Sequence, residues 1–467
     1  MATENTRYAR TGELSEWLAT AGRIHFIGIC GAGMRALARI CHDRGYTVTG
    51  SDDDPVGEGG LALSLAGIQV LSPSKDGAIM TADMAVYSVA VGKDHPELLV
   101  ARSRAIPTVS RADLLAALLA GHRERIGVAG THGKSTVTAA VGSILSQAGR
   151  RPTVVAGAPI SPLYDGYIPG DDDLAVFEAC EYYDSFLSFS PTVAVLTNAE
   201  WDHPDYFKTP EAAASSFLSY LSLPSVRLAV LSGDDPTARS LTGLLSVPYV
   251  TFGLSAGCDI TAKDVTYTEG GSRFFLYTFG SLVGEVTLRI PGEHNIENAL
   301  AAVGAALAAG VDAPEIIRAL SRFGGVGRRT EYRGRREGVD YYDDYAHHPT
   351  EIRAALKALR PKHGRLFTVF QPHTYTRTAE LFSGLGEALL LADFPILVDI
   401  YAAREENTVG ASSRALAKAS GGIFIETPEE AARYLLSVTR PGDRVVVMGA
   451  GDVGLRFFTG PLAFTGD

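Results

Sequence analysis

The sequence predicts an α/β protein made of parallel sheets and crossover helices, repeated in three blocks. Three observations predict it. Short apolar runs such as Ile24–Ile29, Ile126–Ala129 and Leu366–Phe370 are each followed by a Gly-rich or polar turn and then by an amphipathic stretch rich in Ala and Leu. That is the rhythm of strand, turn and crossover helix. The chain has 467 residues, too many for one ordinary core and suited to about three domains. Hydrophobic residues make up 46% and charged residues 20%, the balance of a globular protein and not of a disordered chain.

In the first block Ile24–Ile29 reads as a strand, Gly33–Arg44 as a helix, Tyr46–Gly50 and Met84–Val89 as strands, and Pro107–Leu119 as the closing helix. The polar stretch Gly121–Arg125 reads as a linker. The second block opens with strand Ile126–Ala129 and a helix from Lys134, and adds strands Leu174–Phe177, Val193–Thr197 and Leu228–Leu231. Between Asp259 and Ile290 the pattern changes to alternating strands with GG and GS turns, which predicts a subsidiary antiparallel sheet. An Ala-rich helix, His294–Ala309, and a short helix, Ala313–Arg322, follow. After Gly324–Arg329 the third block has strands Val339–Tyr342, Leu366–Phe370, Ile396–Ile400, Gly422–Ile425 and Arg444–Met448. The expected domains are 1–121, 122–327 and 328–467.

Composition excludes several classes of function. The longest apolar runs, such as Ala388–Ala392, fall far short of the roughly 20 residues of a membrane span. The N-terminus is polar, without a signal-peptide core. Cys30, Cys41, Cys180 and Cys258 show neither CxxC pairing nor zinc spacing and read as free thiols of a reducing cytoplasm. A net charge of −11 disfavours nucleic-acid binding, which needs clustered cations. Small anionic ligands remain open, since backbone amides and a few cations can hold them.

The motifs point to such ligands. Gly28-Ile29-Cys30-Gly31-Ala32-Gly33 lies at a strand-to-helix turn, where backbone amides can approach a diphosphate. Cys30 occupies the second required glycine of the dinucleotide fingerprint, so the turn reads either as a nucleotide-diphosphate site or as a plain tight turn. Asp52 closes the next strand, where a ribose-binding acid belongs. The strongest signal is Gly130-Thr131-His132-Gly133-Lys134-Ser135 directly after an apolar strand. Its amides can wrap phosphate oxygens, its ammonium can reach the outer phosphates, and its hydroxyl can ligate magnesium. A phosphate loop needs an acidic partner on a neighbouring strand. Glu178 ends one such strand, with Glu181 a turn beyond. Asn198-Ala199-Glu200-Trp201-Asp202-His203-Pro204-Asp205 follows another. His294-Asn295-Ile296-Glu297-Asn298 opens the Ala-rich helix and, alone, reads as its cap.

Together GTHGKST, EACEY, NAEWDHPDY and HNIEN are similar to the Mur ligase family, in order and spacing. In the third block Asp343-Asp344-Tyr345-Ala346-His347-His348-Pro349-Thr350-Glu351, FQPHTYTRT and DIYAARE resemble its alanine-adding branch. The resemblance runs from about Ile24 to Val453. It implies a Rossmann-like N-terminal domain for UDP-N-acetylmuramate, a central P-loop ATPase domain and a Rossmann-like C-terminal domain that brings L-alanine. It implies ATP and Mg2+, an acyl-phosphate intermediate, and a monomer or homodimer.

By the same resemblance Gly28, Gly31, Gly33, Met34 and Asp52 serve the sugar nucleotide. Gly130, Thr131, His132, Gly133, Lys134, Ser135 and Thr136 cradle ATP. Ser135, Glu178 and His203 hold the metal. His294, Asn295 and Asn298 face the adenine, while Arg329 and Asp344 approach ATP from the third domain. His347, His348 and Arg377 form the amino-acid end, and Lys134, Glu178, His203 and His348 are the catalytic set. His203 and His348 are the candidate bases for the alanine ammonium. The chain departs from many relatives at Thr374, where they carry Arg, and Thr209–Leu223 contains no lysine of the kind that sister ligases carbamylate. Two other readings remain: a recycling ligase that attaches a murein tripeptide, and a non-catalytic nucleotide sensor.

Overall fold

The computed structural model describes residues 11–75, 77–88, 91–160, 166–170, 173–403 and 405–460. Val89 of the expected strand Met84–Val89 and Arg404 of the DIYAARE motif lie outside them. Mainly parallel sheets organise the chain into an α/β architecture, which the chain divides between two compact units. The first holds the described residues up to Asp202, with Tyr206–Phe252 and Ala301–Asp312; the second holds His203–Asp205, Gly253–Leu300 and the described residues from Ala313 on.

The first unit begins with α1 (Thr11–Thr20), β1 (Arg23–Ile27), α2 (Ala32–Asp43), β2 (Thr47–Ser51), α3 (Glu58–Leu65) and β3 (Gln69–Leu71). It continues with β4 (Met84–Tyr87), α4 (Pro96–Ser103), β5 (Thr108–Ser110) and α5 (Arg111–Leu119). The strands pair in parallel in the order β3-β2-β1-β4-β5. The order reverses at β1, so the turn after β1 occupies the switch point where open α/β sheets bind ligands. Helix α2 explains why the local sequence packs there. Met34, Leu37, Ala38 and Cys41 are buried at helical spacing, and full burial of a leucine such as Leu37 contributes roughly 1.5–3 kcal/mol.

A second sheet in the same unit uses β6 (Glu124–Ala129), α6 (Lys134–Gln147), β7 (Thr153–Val155), β8 (Tyr167–Ile168), β9 (Leu174–Glu178) and β10 (Val193–Leu196). It adds α7 (Pro210–Leu221), β11 (Leu228–Ser232), α8 (Pro236–Leu241) and β12 (Tyr249–Gly253). Within the unit the order is β12-β11-β10-β6-β9-β7-β8, parallel except for β7 against β8. One apolar cluster runs from Ile24, Phe26 and Leu115 to Phe177, Phe217 and Tyr220. This shared core makes the two sheets one compact unit.

In the second unit β13 (Ile260–Thr268), β14 (Gly271–Thr278) and β15 (Ser281–Leu288) form an antiparallel meander, as the alternating pattern predicts. Helices α9 (Glu293–Ala308) and α10 (Ala313–Leu320) follow. The C-terminal sheet takes β16 (Glu331–Arg336), β17 (Val339–Asp344), α11 (Pro349–Ala358), β18 (Leu366–Phe370), α12 (Tyr375–Glu380), α13 (Phe382–Leu389) and β19 (Phe394–Leu397). It ends with α14 (Ser413–Ala419), β20 (Ile423–Phe424), α15 (Pro428–Val438), β21 (Arg444–Met448) and α16 (Val453–Thr459). Its order is β16-β17-β21-β18-β19-β20, with only β16 antiparallel. Apolar clusters cover both faces.

Three expectations need correction. Pro107–Leu119 is not one helix: Thr108–Ser110 pairs with β4 as strand β5, and Ser110 caps a helix that starts at Arg111. The expected linker ends early, because Glu124 and Arg125 already pair with β9. The strand expected over Ile396–Ile400 lies at Phe394–Leu397. No helix of the described residues is long and apolar enough to cross a membrane.

Candidate active site

Strand β6 ends at Ala129, and the chain must turn sharply to start α6 at Lys134. Gly130 and Gly133 make the turn with φ of +133° and +82°, values that side chains with a Cβ rarely adopt. A Cβ on Gly130 would also lie 2.0 Å from Thr197 Oγ1. The loop is clamped by residues just after β10. Asn198 Oδ1 accepts from His132 N at 2.9 Å, and Asn198 Nδ2 donates to His132 O at 3.1 Å. Thr131 Oγ1 donates to Glu200 O at 2.6 Å, and His132 Nε2 lies 2.9 Å from Glu200 Oε2. The Asn198–Glu200 stretch therefore fixes the loop's shape.

Inside this loop Lys134 Nζ donates to Gly130 O, and to Thr131 O at 3.0 Å, and pairs with Glu181 Oε2 at 3.0 Å. Burial disfavours the ammonium, but Glu181, with Cys180 and Glu178, outweighs it and holds the Lys134 pKa above that of a free lysine. Lys134 is a permanent cation. Ser135 Oγ donates to Glu178 Oε2 at 2.7 Å, and Gly157 N donates to the same oxygen at 2.7 Å. A hydroxyl and a carboxylate side by side are hard oxygen donors and fit a magnesium ion.

At the turn after β1, Gly28 N and Ile29 N donate to Ser51 O at 2.8 and 3.0 Å. Asp52 Oδ2 accepts from Cys30 N at 2.9 Å, so the expected ribose acid also braces the turn. Burial, with Asp52 next, pushes the Cys30 thiol up to about 12, so it stays protonated. Gly31 caps α2. Met34 is 2% exposed, and its side chain packs in the core.

The C-terminal motif residues gather within the second unit around Glu351. Its Oε1 lies 3.3 Å from Arg329 Nη1, and its Oε2 accepts from His347 N at 3.1 Å. The His348 side chain and Glu351 form the capping box of α11. Asp344 is buried; it accepts from Thr330 N and Ala346 N, each at 2.7 Å. Burial pushes its carboxyl up to about 6, against the pull of Arg329. At the start of α9, Asn295 Nδ2 donates to Pro291 O at 2.8 Å and Asn298 Nδ2 to Asn295 Oδ1 at 3.2 Å. Burial pushes the His294 imidazole down to about 4, against the pull of Glu351. Arg377 Nη2 lies 3.5 Å from His203 Nδ1.

Backbone strain concentrates on these motifs. Tyr183, Asp184, His203, Arg328, Thr330 and Thr374 all have positive φ. Thr374, at φ 62° and ψ 152°, occupies a region that is almost exclusively glycine's, at a cost of about 1–3 kcal/mol. Sequence reading assigned no role to Glu181 or Glu351, which the structure shows as partners of Lys134 and Arg329. The E-x-x-E spacing from Glu178 was the only trace of the first. It also gave no role to His373, whose ring stacks on Tyr401 at 5.6 Å and whose imidazole burial pushes down to about 4.

Family models match along most of the chain: Mur ligase family, catalytic domain over residues 23–123, Mur ligase middle domain over 128–306, and Mur ligase, glutamate ligase domain over 328–451. A relative named UDP-N-acetylmuramate–L-alanine ligase, from Agathobacter rectalis, is 38% identical, over 92% of this chain and 95% of its own. The crystal structure of the UDP-N-acetylmuramate–alanine ligase of Thermotoga maritima superposes with a TM-score of 0.81 at 28% identity, covering 94% of this chain and 98% of that one. The murein peptide ligase of Psychrobacter arcticus shares the fold, with a TM-score of 0.74 at 22% identity over 95% of this chain and 100% of its own. On this likeness, which covers nearly its whole length, the chain belongs to the Mur ligase family.

Proposed function

We infer that the protein joins L-alanine to the lactyl carboxylate of UDP-N-acetylmuramate at the expense of ATP, a step of peptidoglycan precursor synthesis. The observation that carries the catalytic reading is the phosphate loop, with Lys134 held against Glu181 and Ser135 against Glu178. The choice of substrates rests on the 38% identity to an alanine-adding relative over 92% of the chain.

Forming an amide from a carboxylate and an amine in water is uphill, so the carboxylate is first phosphorylated. Two negative groups must then meet. Lys134 in the loop offsets their repulsion, and Arg329 adds a second cation. Ser135 and Glu178 would hold magnesium, with His203 as a further ligand, and the ion would supply additional charge neutralisation there. Positioning does the rest of this step. The alanine amine attacks the acyl phosphate and phosphate leaves. His294, Asn295 and Asn298 serve the adenine side, and Asp344 meets the nucleotide. His347, His348 and Arg377 receive the amino acid, with His203 or His348 as the base. Gly28, Gly31, Gly33 and Asp52 serve the sugar nucleotide. The domains run 1–121, 122–327 and 328–467, and the work is done in the cytoplasm, where ATP and nucleotide sugars are available.

Phosphate release tests the reading. Release should require ATP, UDP-N-acetylmuramate and L-alanine together. It should vanish in Lys134→Ala while calorimetry still shows sugar-nucleotide binding, because the lysine serves ATP and not the sugar nucleotide. Binding without turnover under all conditions would favour a nucleotide sensor instead.

A further inference from the structure

Arg111 stands in an unusual place. It is the first residue of α5, where a cation opposes the helix dipole. Its guanidinium lies against the opening of α2: a Cβ on Gly33 would come within 3.0 Å of Arg111 Nη1 and 3.4 Å of Cζ. A side chain at position 33 would push that group aside, and glycine leaves it in place beside the turn. Arg111 is half-buried, yet among the described residues its guanidinium has no hydrogen bond or ion pair. The acid next to it on α5 is already engaged. Asp113 Oδ2 accepts from Ser110 Oγ at 2.7 Å, and Asp113 Oδ1 accepts from Ser188 Oγ at 2.6 Å. Ser188 ends the kinked stretch Tyr182–Ser188, which begins directly after Glu181, the partner of Lys134. Asp113 thus brackets the start of α5 to the chain that supports the phosphate loop, and both of its oxygens accept from serines.

Water can reach a half-buried guanidinium, so its donors are open to an anion that exchanges that water for charge-assisted hydrogen bonds. We infer that Arg111 is a binding residue for the diphosphate of the sugar nucleotide, gripping it from the α5 side while the Gly28–Gly33 turn offers its amides. This rests on the sugar-nucleotide reading of that turn. The planar fork of arginine can take two oxygens of a diphosphate at once, which lysine cannot reproduce.

Calorimetry on the full chain, with UDP, UDP-N-acetylmuramate and ADP as separate ligands, tests the assignment. Arg111→Gln should weaken UDP and UDP-N-acetylmuramate alike, by about 10- to 100-fold, as expected for loss of charge-assisted hydrogen bonds. ADP affinity should stay unchanged. Arg111→Lys should fall between wild type and Arg111→Gln, and it decides the matter if the glutamine variant fails to fold. UDP affinity within twofold of wild type in a folded variant would overturn the assignment, as would an equal loss for ADP. Wild-type protein that binds ADP but no UDP would overturn the sugar-nucleotide reading itself, a result distinct from either.

Discussion

Lys134 and Ser135 are neighbours in sequence but answer to different acids, Glu181 at 3.0 Å and Glu178 at 2.7 Å. The division has a consequence. If Ser135 and Glu178 share one magnesium ion, removing either partner removes most of what the pair contributes. Ser135→Ala and Glu178→Gln should each raise the magnesium concentration needed for half-maximal rate and cut turnover by about 10²-fold. The double variant should be little worse than the worse single one. Magnesium titrations of initial rate measure this, and simple additivity would mean that the two residues do separate jobs. At this scale the sequence was legible where chemistry needs fixed spacing. Lys134 and Ser135 could be read because a phosphate loop allows few alternatives, and Glu178 because it ends an apolar strand. Glu181 and Glu351 could not, because their importance lies in which cation each side chain reaches, and spacing does not encode that. Nor did the sequence show the strained backbone of Thr374.

Helix α9 sets the pH behaviour of its own surroundings. Burial pushes His294 down to about 4, so the folded state keeps it neutral where an unfolded chain, at about 6.5, would take up a proton. Its stability contribution is therefore fully present above about pH 6.5 and is lost as the pH falls through 4. Asp343 and Asp344, each pushed up to about 6 chiefly by burial, work in the opposite sense, so the wild-type profile alone is ambiguous. A difference isolates the histidine. The stability of wild type minus that of His294→Gln should fall by about 1.4 kcal/mol per pH unit as the pH drops from 6.5 towards 4. Urea unfolding at several pH values measures it, and a constant difference would contradict the buried neutral imidazole. Elements were legible where apolar runs are long and clean, as in β6, β9, β18 and β21. The errors came where short pieces adjoin. Thr108–Ser110 was absorbed into α5 because three residues carry no period of their own, and Phe394–Leu397 was displaced by the apolar residues that follow it. The helices Thr11–Thr20 and Pro96–Ser103 were not read at all, since neither has a long apolar stripe.

For the whole molecule, three successive strand-and-helix blocks were readable, and the structure has mainly parallel sheets in each. What could not be read is how the blocks share cores. The first two sheets contribute to one apolar cluster, which periodicity within either block cannot reveal. The antiparallel strands β13–β15 were readable because alternation differs from the continuous apolar runs of buried parallel strands. The whole chain is required for the claim that matters most, that one alanine is joined to one sugar nucleotide. The most direct measurement is the mass of the product formed from ATP, UDP-N-acetylmuramate and an equimolar mixture of L-alanine and L-alanyl-γ-D-glutamyl-meso-diaminopimelate. The account predicts a product heavier than the sugar nucleotide by one alanine residue, with the tripeptide left unused. A product carrying the tripeptide, or ATP consumed with neither adduct formed, would contradict it.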